Sequence, residues 1–334
     1  MKLTIRSLIV LLLIFQAGTI YGEQKNYNIG LQRISTFIQS EDVEMHIMVW
    51  YPTSEHAKIT KIGPYEMEVA KSATVEPGSR GLILISHGDG GSHLNHRDTA
   101  IYLAKMGYIV AAVLHPHNNF LDNSEEGTFK NLINRPDEIS KAIDLLLSQP
   151  GFKENINVNR IAVIGHSAGA YTALALAGGI PNMANIREHC NKHHDDSTFC
   201  NIFRVLSQQE LGEGLIKSTR DPRIKAAVLM APVGVLFDDD QSLVKVNIPI
   251  RIYRAEKDDI LRYPYHAEFL QKKLLIESEY IVVKNAGHYS FITPIPDRMK
   301  DKVGKVANDP NGFDRVQFHE AMNKEIADFL SRLL

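Results

Sequence analysis

The chain has 334 residues, 44% hydrophobic and 23% charged, enough to bury the core of one large α/β catalytic domain. A formal net charge of −2 and a pI near 6.7 remove any electrostatic case for nucleic acid or an anionic membrane as an obligate partner.

At the N-terminus, Lys2 and Arg6 precede an apolar run from Leu8 to Phe15, and small residues follow at Ala17-Gly18 and Gly22. Residues 1–22 therefore read as a signal peptide and 23–334 as the catalytic domain. The run is short for a membrane span, and no cysteine follows it closely enough to carry a lipid. A periplasmic or secreted protein without an obligate membrane anchor is expected, with an uncleaved interfacial anchor as the alternative.

Tyr27 to Gln39 and Glu44 to Tyr51 alternate apolar and polar residues, which predicts an antiparallel pair with Met45, Ile47, Val49 and Tyr51 on one face. Residues 52–80 mix Pro, Gly, Lys and Glu without clear period and read as a surface connection ending in the turn Glu76-Pro77-Gly78-Ser79. Gly81 to Ser86 is a continuous apolar run, as in strands buried on both faces. The glycine-rich loop His87-Gly88-Asp89-Gly90-Gly91-Ser92 follows at once, and its backbone can approach a ligand closely. A helix from His96 to Met106 stops at Gly107, and Tyr108 to Val113 is a second buried strand. Arg135-Pro136-Asp137 opens a helix through Leu147, with Ile139, Ile143, Leu146 and Leu147 on one stripe.

Ile161 to Ile164 forms a third buried strand, and Gly165-His166-Ser167-Ala168-Gly169 after it fits the G-x-S-x-G nucleophile elbow, followed by a helical run through Ala177. Small flanking residues let strand and helix approach, and the helix start offers N–H groups to an oxyanion. Residues 179–220 are a polar insertion, expected as a small cap beside the site. It holds both cysteines, and Cys190 and Cys200 are expected to pair in an oxidising compartment. Zinc on these thiols, helped by His189, His193 or His194, is the alternative. Strand-like runs return at Ile224 to Met230, Ile248 to Tyr253 and Tyr280 to Val283, with helices from Ala267 to Ile276 and Val316 to Leu334. This alternation predicts a mainly parallel sheet covered on both faces.

A serine hydroxyl needs a base to become nucleophilic near neutral pH, and the base needs an acid to fix its tautomer. In the chain order serine, acid, histidine, the candidates are Ser167, Asp258 and His288; Asp259 and Glu256 remain alternative acids. All follow the carboxyl end of a predicted strand, where open α/β sheets bind ligands. The oxyanion donors expected are the backbone N–H groups of Ala168 and Asp89. The Asp89 carboxylate should then point away or pair with Arg97 or Arg135. His87, His115, His117 and His166 gather near the same edge and are expected to make structural hydrogen bonds.

Across residues 80–295 the chain resembles the α/β-hydrolase superfamily, and within it the bacterial predicted dienelactone hydrolases related to platelet-activating-factor acetylhydrolase. The matching segments are Ser86-His87-Gly88-x-Gly90-Gly91-Ser92, Arg135-Pro136-Asp137-Glu138-Ile139, Gly165 to Gly169, Arg220 to Ala226 and Ala286-Gly287-His288-Tyr289-Ser290-Phe291. The resemblance implies a doubly wound, mainly parallel eight-stranded sheet with a small cap insertion, an acyl-serine intermediate, no cofactor and no metal. Ser167 stands where true dienelactone hydrolases carry cysteine. Where the acetylhydrolase carries its acid, this chain reads Met230-Ala231-Pro232. An exported serine hydrolase acting on small-molecule or lipid-like esters with short or medium acyl chains is expected. An amidase or peptidase on the same triad, a non-catalytic binding protein and acyl transfer to an alcohol are the alternatives.

Overall fold

The computed structural model describes residues 27–205, 214–217 and 219–334; the expected signal peptide lies outside them. Ten strands form one sheet. They are β1 (Asn28–Ile38), β2 (Val43–Thr53), β3 (Lys58–Ile62), β4 (Tyr65–Lys71), β5 (Arg80–Ser86), β6 (Ile109–Leu114), β7 (Ile156–His166), β8 (Ile224–Met230), β9 (Ile250–Ala255) and β10 (Glu279–Val283). Their order across the sheet is β10-β9-β8-β7-β5-β6-β2-β1-β4-β3. The six strands from β5 to β10 run parallel, while β2 is antiparallel to both β6 and β1.

The expected count of eight is corrected by the hairpin β3–β4, which occupies part of the stretch read as a surface connection. Its second strand alternates strictly: Tyr65, Met67 and Val69 are buried, and Glu66 and Glu68 are exposed.

Helices α1 (Arg97–Lys105), α2 (Phe129–Ser148), α3 (Ala168–Ala177), α4 (Ala184–Lys192), α5 (Ser197–Ile202), α6 (Ala267–Lys273), α7 (Asp297–Val303) and α8 (Arg315–Ser331) complete the chain. On one face of the sheet, α2 and α3 bury Ile139, Ile143, Leu146 and Leu174 against β5, β6 and β7. On the other, α1 and α8 bury Leu103, Ala104, Ile326 and Leu330. The chain passes from β5 to β6 on one side and returns to β7 on the other, so a crevice opens at the carboxyl ends of β5 and β7.

Helix α2 begins earlier than Arg135, with Thr128 as N-cap accepting from the Asn131 N–H, so Pro136 lies inside the helix rather than at its start. An interior proline leaves the carbonyl four residues earlier without its intrahelical donor. That carbonyl belongs to Leu132, and the Tyr171 hydroxyl donates to it at 2.9 Å, tying α2 to α3.

In the insertion, Cys190 and Cys200 form a disulfide linking α4 to α5. Both sulfurs are spent in that bond, which leaves no thiolate for the zinc alternative. Asp196, buried before α5, accepts from His189 and His266, each at 2.9 Å. Burial opposes its ionisation, but the hydrogen bonds and charge of the two histidines outweigh burial and hold the carboxyl down at about 2. A folded value below the ordinary one stabilises the native state above about pH 4, and that stability is lost as pH falls toward 2. The thermal midpoint is therefore expected to fall across this window, and to fall less steeply in Asp196→Asn; parallel curves for the two proteins would contradict it.

Candidate active site

Ser167 emerges between β7 and α3 at φ 56° and ψ −119°, a backbone conformation strained for a residue with a side chain. The elbow can close only on glycine. A Cβ at Gly165 would stand 2.0 Å from the Gly169 carbonyl oxygen, and one at Gly169 would stand 1.9 Å from that of Ser86. The Ser167 N–H donates to the Met230 carbonyl at 2.9 Å, fixing the turn to β8. Ala168 is the first residue of α3, where backbone N–H groups have no intrahelical partner and the dipole is positive.

His288 lies past β10, at the start of a short 3₁₀ turn, and its Nδ1 donates to Asp258, with the two carboxylate oxygens at 3.0 and 2.9 Å. Asp258 is held in turn, because its Oδ1 accepts the N–H groups of Ile260 and Leu261 at 3.0 and 2.8 Å. The neighbouring acid Glu256 turns away to Lys284 and the Asn285 N–H, both at 2.8 Å. His166 is buried, and its Nε2 donates to the His288 carbonyl at 2.9 Å. Burial, then the charges of His288 and His96, push its pKa well below the ordinary imidazole value, so it serves as a neutral donor.

The glycine loop after β5 passes directly beside the serine: a Cβ on Gly88 would lie 3.2 Å from the Ser167 Cβ. Asp89 follows, and its Oδ1 lies 3.4 Å from Asn131 Nδ2. Of the two expected arrangements, direct pairing with an arginine is not made: among the described residues neither candidate guanidinium hydrogen-bonds Asp89. Arg97 lies 3.7 Å over the Tyr65 ring and donates to the Pro294 carbonyl. Arg135 is fully buried under the loop and donates to the His87 carbonyl, Asn118 Oδ1, Thr172 Oγ1 and Ser86 Oγ. It acts on Asp89 only through space, as a nearby positive charge.

The other histidines at this edge hold the loop. His87 Nδ1 donates to the Gly88 carbonyl at 2.7 Å, and its Nε2 accepts from the His115 N–H. His115 bridges Ser86 Oγ at 2.8 Å and Glu138 at 2.5 Å. Burial raises the Glu138 carboxyl to about 8, with Arg135 pulling the other way, so one proton is shared within a buried pair. Glu138 stands in the segment Arg135-Pro136-Asp137-Glu138-Ile139, where nothing in the adjacent sequence signals its burial. His117 bonds Asp122 outside the site.

Two chambers meet at Ser167. A cleft of about 660 Å³ is lined by Ser167, Asp89, His288 and Tyr289, with apolar walls from the β3–β4 turn (Ile62, Pro64) and from Met299 and Val303 of α7. A chamber of about 30 Å³ lies on the other side, lined by Ser167, Ala168, Asp89, Leu132, Phe199 and Leu236, among others. Of the two, His288 faces only the larger. Sequence reasoning missed the hairpin and α7 as walls; the alternation at 65–69 was the available signal for the first.

Among the described residues, one group has the spacing to hold a cation: single ligand atoms of Glu41, His117 and Glu125 lie within 4.8 Å of one another. The Lys130 ammonium already sits against it, with its Nζ 2.5 Å from Glu125 and 3.8 Å from Glu41, and offsets part of its negative charge. No helix among the described residues is long and apolar enough to cross a membrane.

The mixed sheet, its helices on both faces and the strand-to-helix serine turn are consistent with an α/β-hydrolase fold. No family model matches the chain, and no curated protein matches it. Among solved structures it is similar to a ferulic acid esterase from Streptomyces cinnamoneus, with a TM-score of 0.65 and 18% identity, covering 92% of this chain and 90% of that one.

Proposed function

We propose that the protein is an exported serine esterase cleaving short-chain acyl esters of a bulkier, largely apolar alcohol, and that it belongs with the dienelactone hydrolase and platelet-activating-factor acetylhydrolase-like enzymes. The observation carrying this reading is the Asp258–His288 hydrogen bond beside a cleft that both His288 and Ser167 line. The esterase neighbour supports the reaction class. The disulfide and the basic-then-apolar N-terminal sequence support export.

Ser167 Oγ bonds to the ester carbonyl carbon as His288 Nε2 takes its proton, and the oxyanion is met by the N–H groups of Ala168 and Asp89. Collapse breaks the bond to the alcohol oxygen, which receives that proton from His288. Water, deprotonated by the same imidazole, then releases the acid and restores the serine. Asp258 holds Nδ1–H in place and stabilises the imidazolium.

This proton path orients the substrate. The leaving oxygen must face His288, which lines the large cleft, so the alcohol lies there and the acyl chain enters the small chamber. A volume of about 30 Å³ holds one or two heavy atoms beyond the carbonyl, an acetyl or propionyl group. An aromatic acyl such as ferulate exceeds it, so the neighbour's substrate is not carried over. On p-nitrophenyl esters, kcat/KM is expected to fall about 100-fold from acetate to octanoate. A profile rising toward octanoate would reverse the chamber assignment. A matched anilide turned over faster than the ester would favour the amidase reading, and absence of a fluorophosphonate adduct on Ser167 would favour a binding protein.

A further inference from the structure

We infer that Ile202 is the partition that sets the acyl limit, and that the disulfide-pinned helix α5 exists in the site to hold it; this rests on the esterase reading above. Ile202 lines both the small chamber and the large cleft, so its side chain stands between them beside Ser167. Its backbone is held from several directions. Cys200, two residues earlier, is bonded to Cys190 on α4. Phe199 is fully buried, with its ring 5.1 Å from Phe203 and 4.8 Å from His266. The Ile202 carbonyl oxygen also rests on Gly127, where a Cβ would come within 2.1 Å of it. Gly127 has φ +69°, so both its conformation and this close approach demand glycine.

With its backbone so constrained, Ile202 cannot withdraw without moving α5, and β-branching at the end of a helix restricts its χ1, so the side chain resists displacement by a longer acyl group. Cutting it back to Cβ would join about 30 Å³ to about 660 Å³ and open a path for the chain. The catalytic hydrogen bonds of Asp258 and His288 do not involve this residue.

The test is an ester ladder, p-nitrophenyl acetate, butyrate and octanoate, run on the full chain with Ile202→Ala and Ile202→Phe. Ile202→Ala is expected to raise the octanoate-to-acetate ratio of kcat/KM at least about tenfold. Ile202→Phe is expected to steepen the wild-type profile. An unchanged ratio in Ile202→Ala, in protein that still takes the fluorophosphonate label, overturns the inference and leaves the esterase reading intact. Wild-type protein that neither hydrolyses any ester nor takes the label overturns the esterase reading instead. Cys190→Ser with Cys200→Ser should move the ratio in the same direction as Ile202→Ala; a labelled, unchanged double variant would remove the disulfide from the proposal.

Discussion

Ser167→Ala is expected to lower kcat/KM for p-nitrophenyl acetate by about 100,000-fold and to abolish fluorophosphonate labelling. On the proposed mechanism so large a loss follows, because the remaining base and oxyanion donors cannot supply a nucleophile and their contributions do not add independently of it. Stability should respond differently. The strain at φ 56° and ψ −119° belongs to the backbone, so alanine inherits it. Glycine escapes much of it, and Ser167→Gly should be more stable than Ser167→Ala by about 1 kcal/mol. Denaturant unfolding of the two variants reads that difference, and equal midpoints would show the elbow to be unstrained.

The largest stability effect is expected at Arg135. Its guanidinium is fully buried beneath the loop that carries Asp89 and donates to four oxygens, those of His87, Asn118, Thr172 and Ser86. Arg135→Met keeps much of the volume but strands those acceptors and removes the positive charge between Asp89 and Glu138. A cost of about 3–5 kcal/mol is expected. Arg135→Lys should recover little, because a single ammonium cannot reproduce the planar fork. Calorimetry or urea unfolding checks both, and a Met variant within about 1 kcal/mol of the parent would mean that water replaces the guanidinium.

Ser167 was legible because it follows the continuous apolar run Ile161 to Ile164, the signature of a strand buried on both faces; the strands before Asp258 and His288 signal themselves more weakly, since Arg251 and Arg254 interrupt the first and the second is mostly half-buried. The edge hairpin was harder. Gly63-Pro64 interrupts it, and half its residues are solvated, so its period-two pattern lasts only from Tyr65 to Val69. Pro136 drew the predicted helix start six residues too far along, since proline is usual in a first turn. Its tolerance inside α2 depends on Tyr171, a partner from another element that local patterning cannot supply. The chambers were invisible for the same reason. Their walls come from the β3–β4 turn, α5 and α7, which meet only after the sheet is assembled.

His166 occupies the first variable position of the elbow pentapeptide, a place ordinarily free to drift. Here its imidazole reaches across 122 residues to hold the main chain of His288, the proposed general base. A replacement at that position must therefore be long enough, and carry a donor, to span the same gap if His288 is to keep its place relative to Ser167. Asparagine is shorter and leucine has no donor, whereas the Nε2 of glutamine stands at a remove from the backbone similar to that of the histidine Nε2.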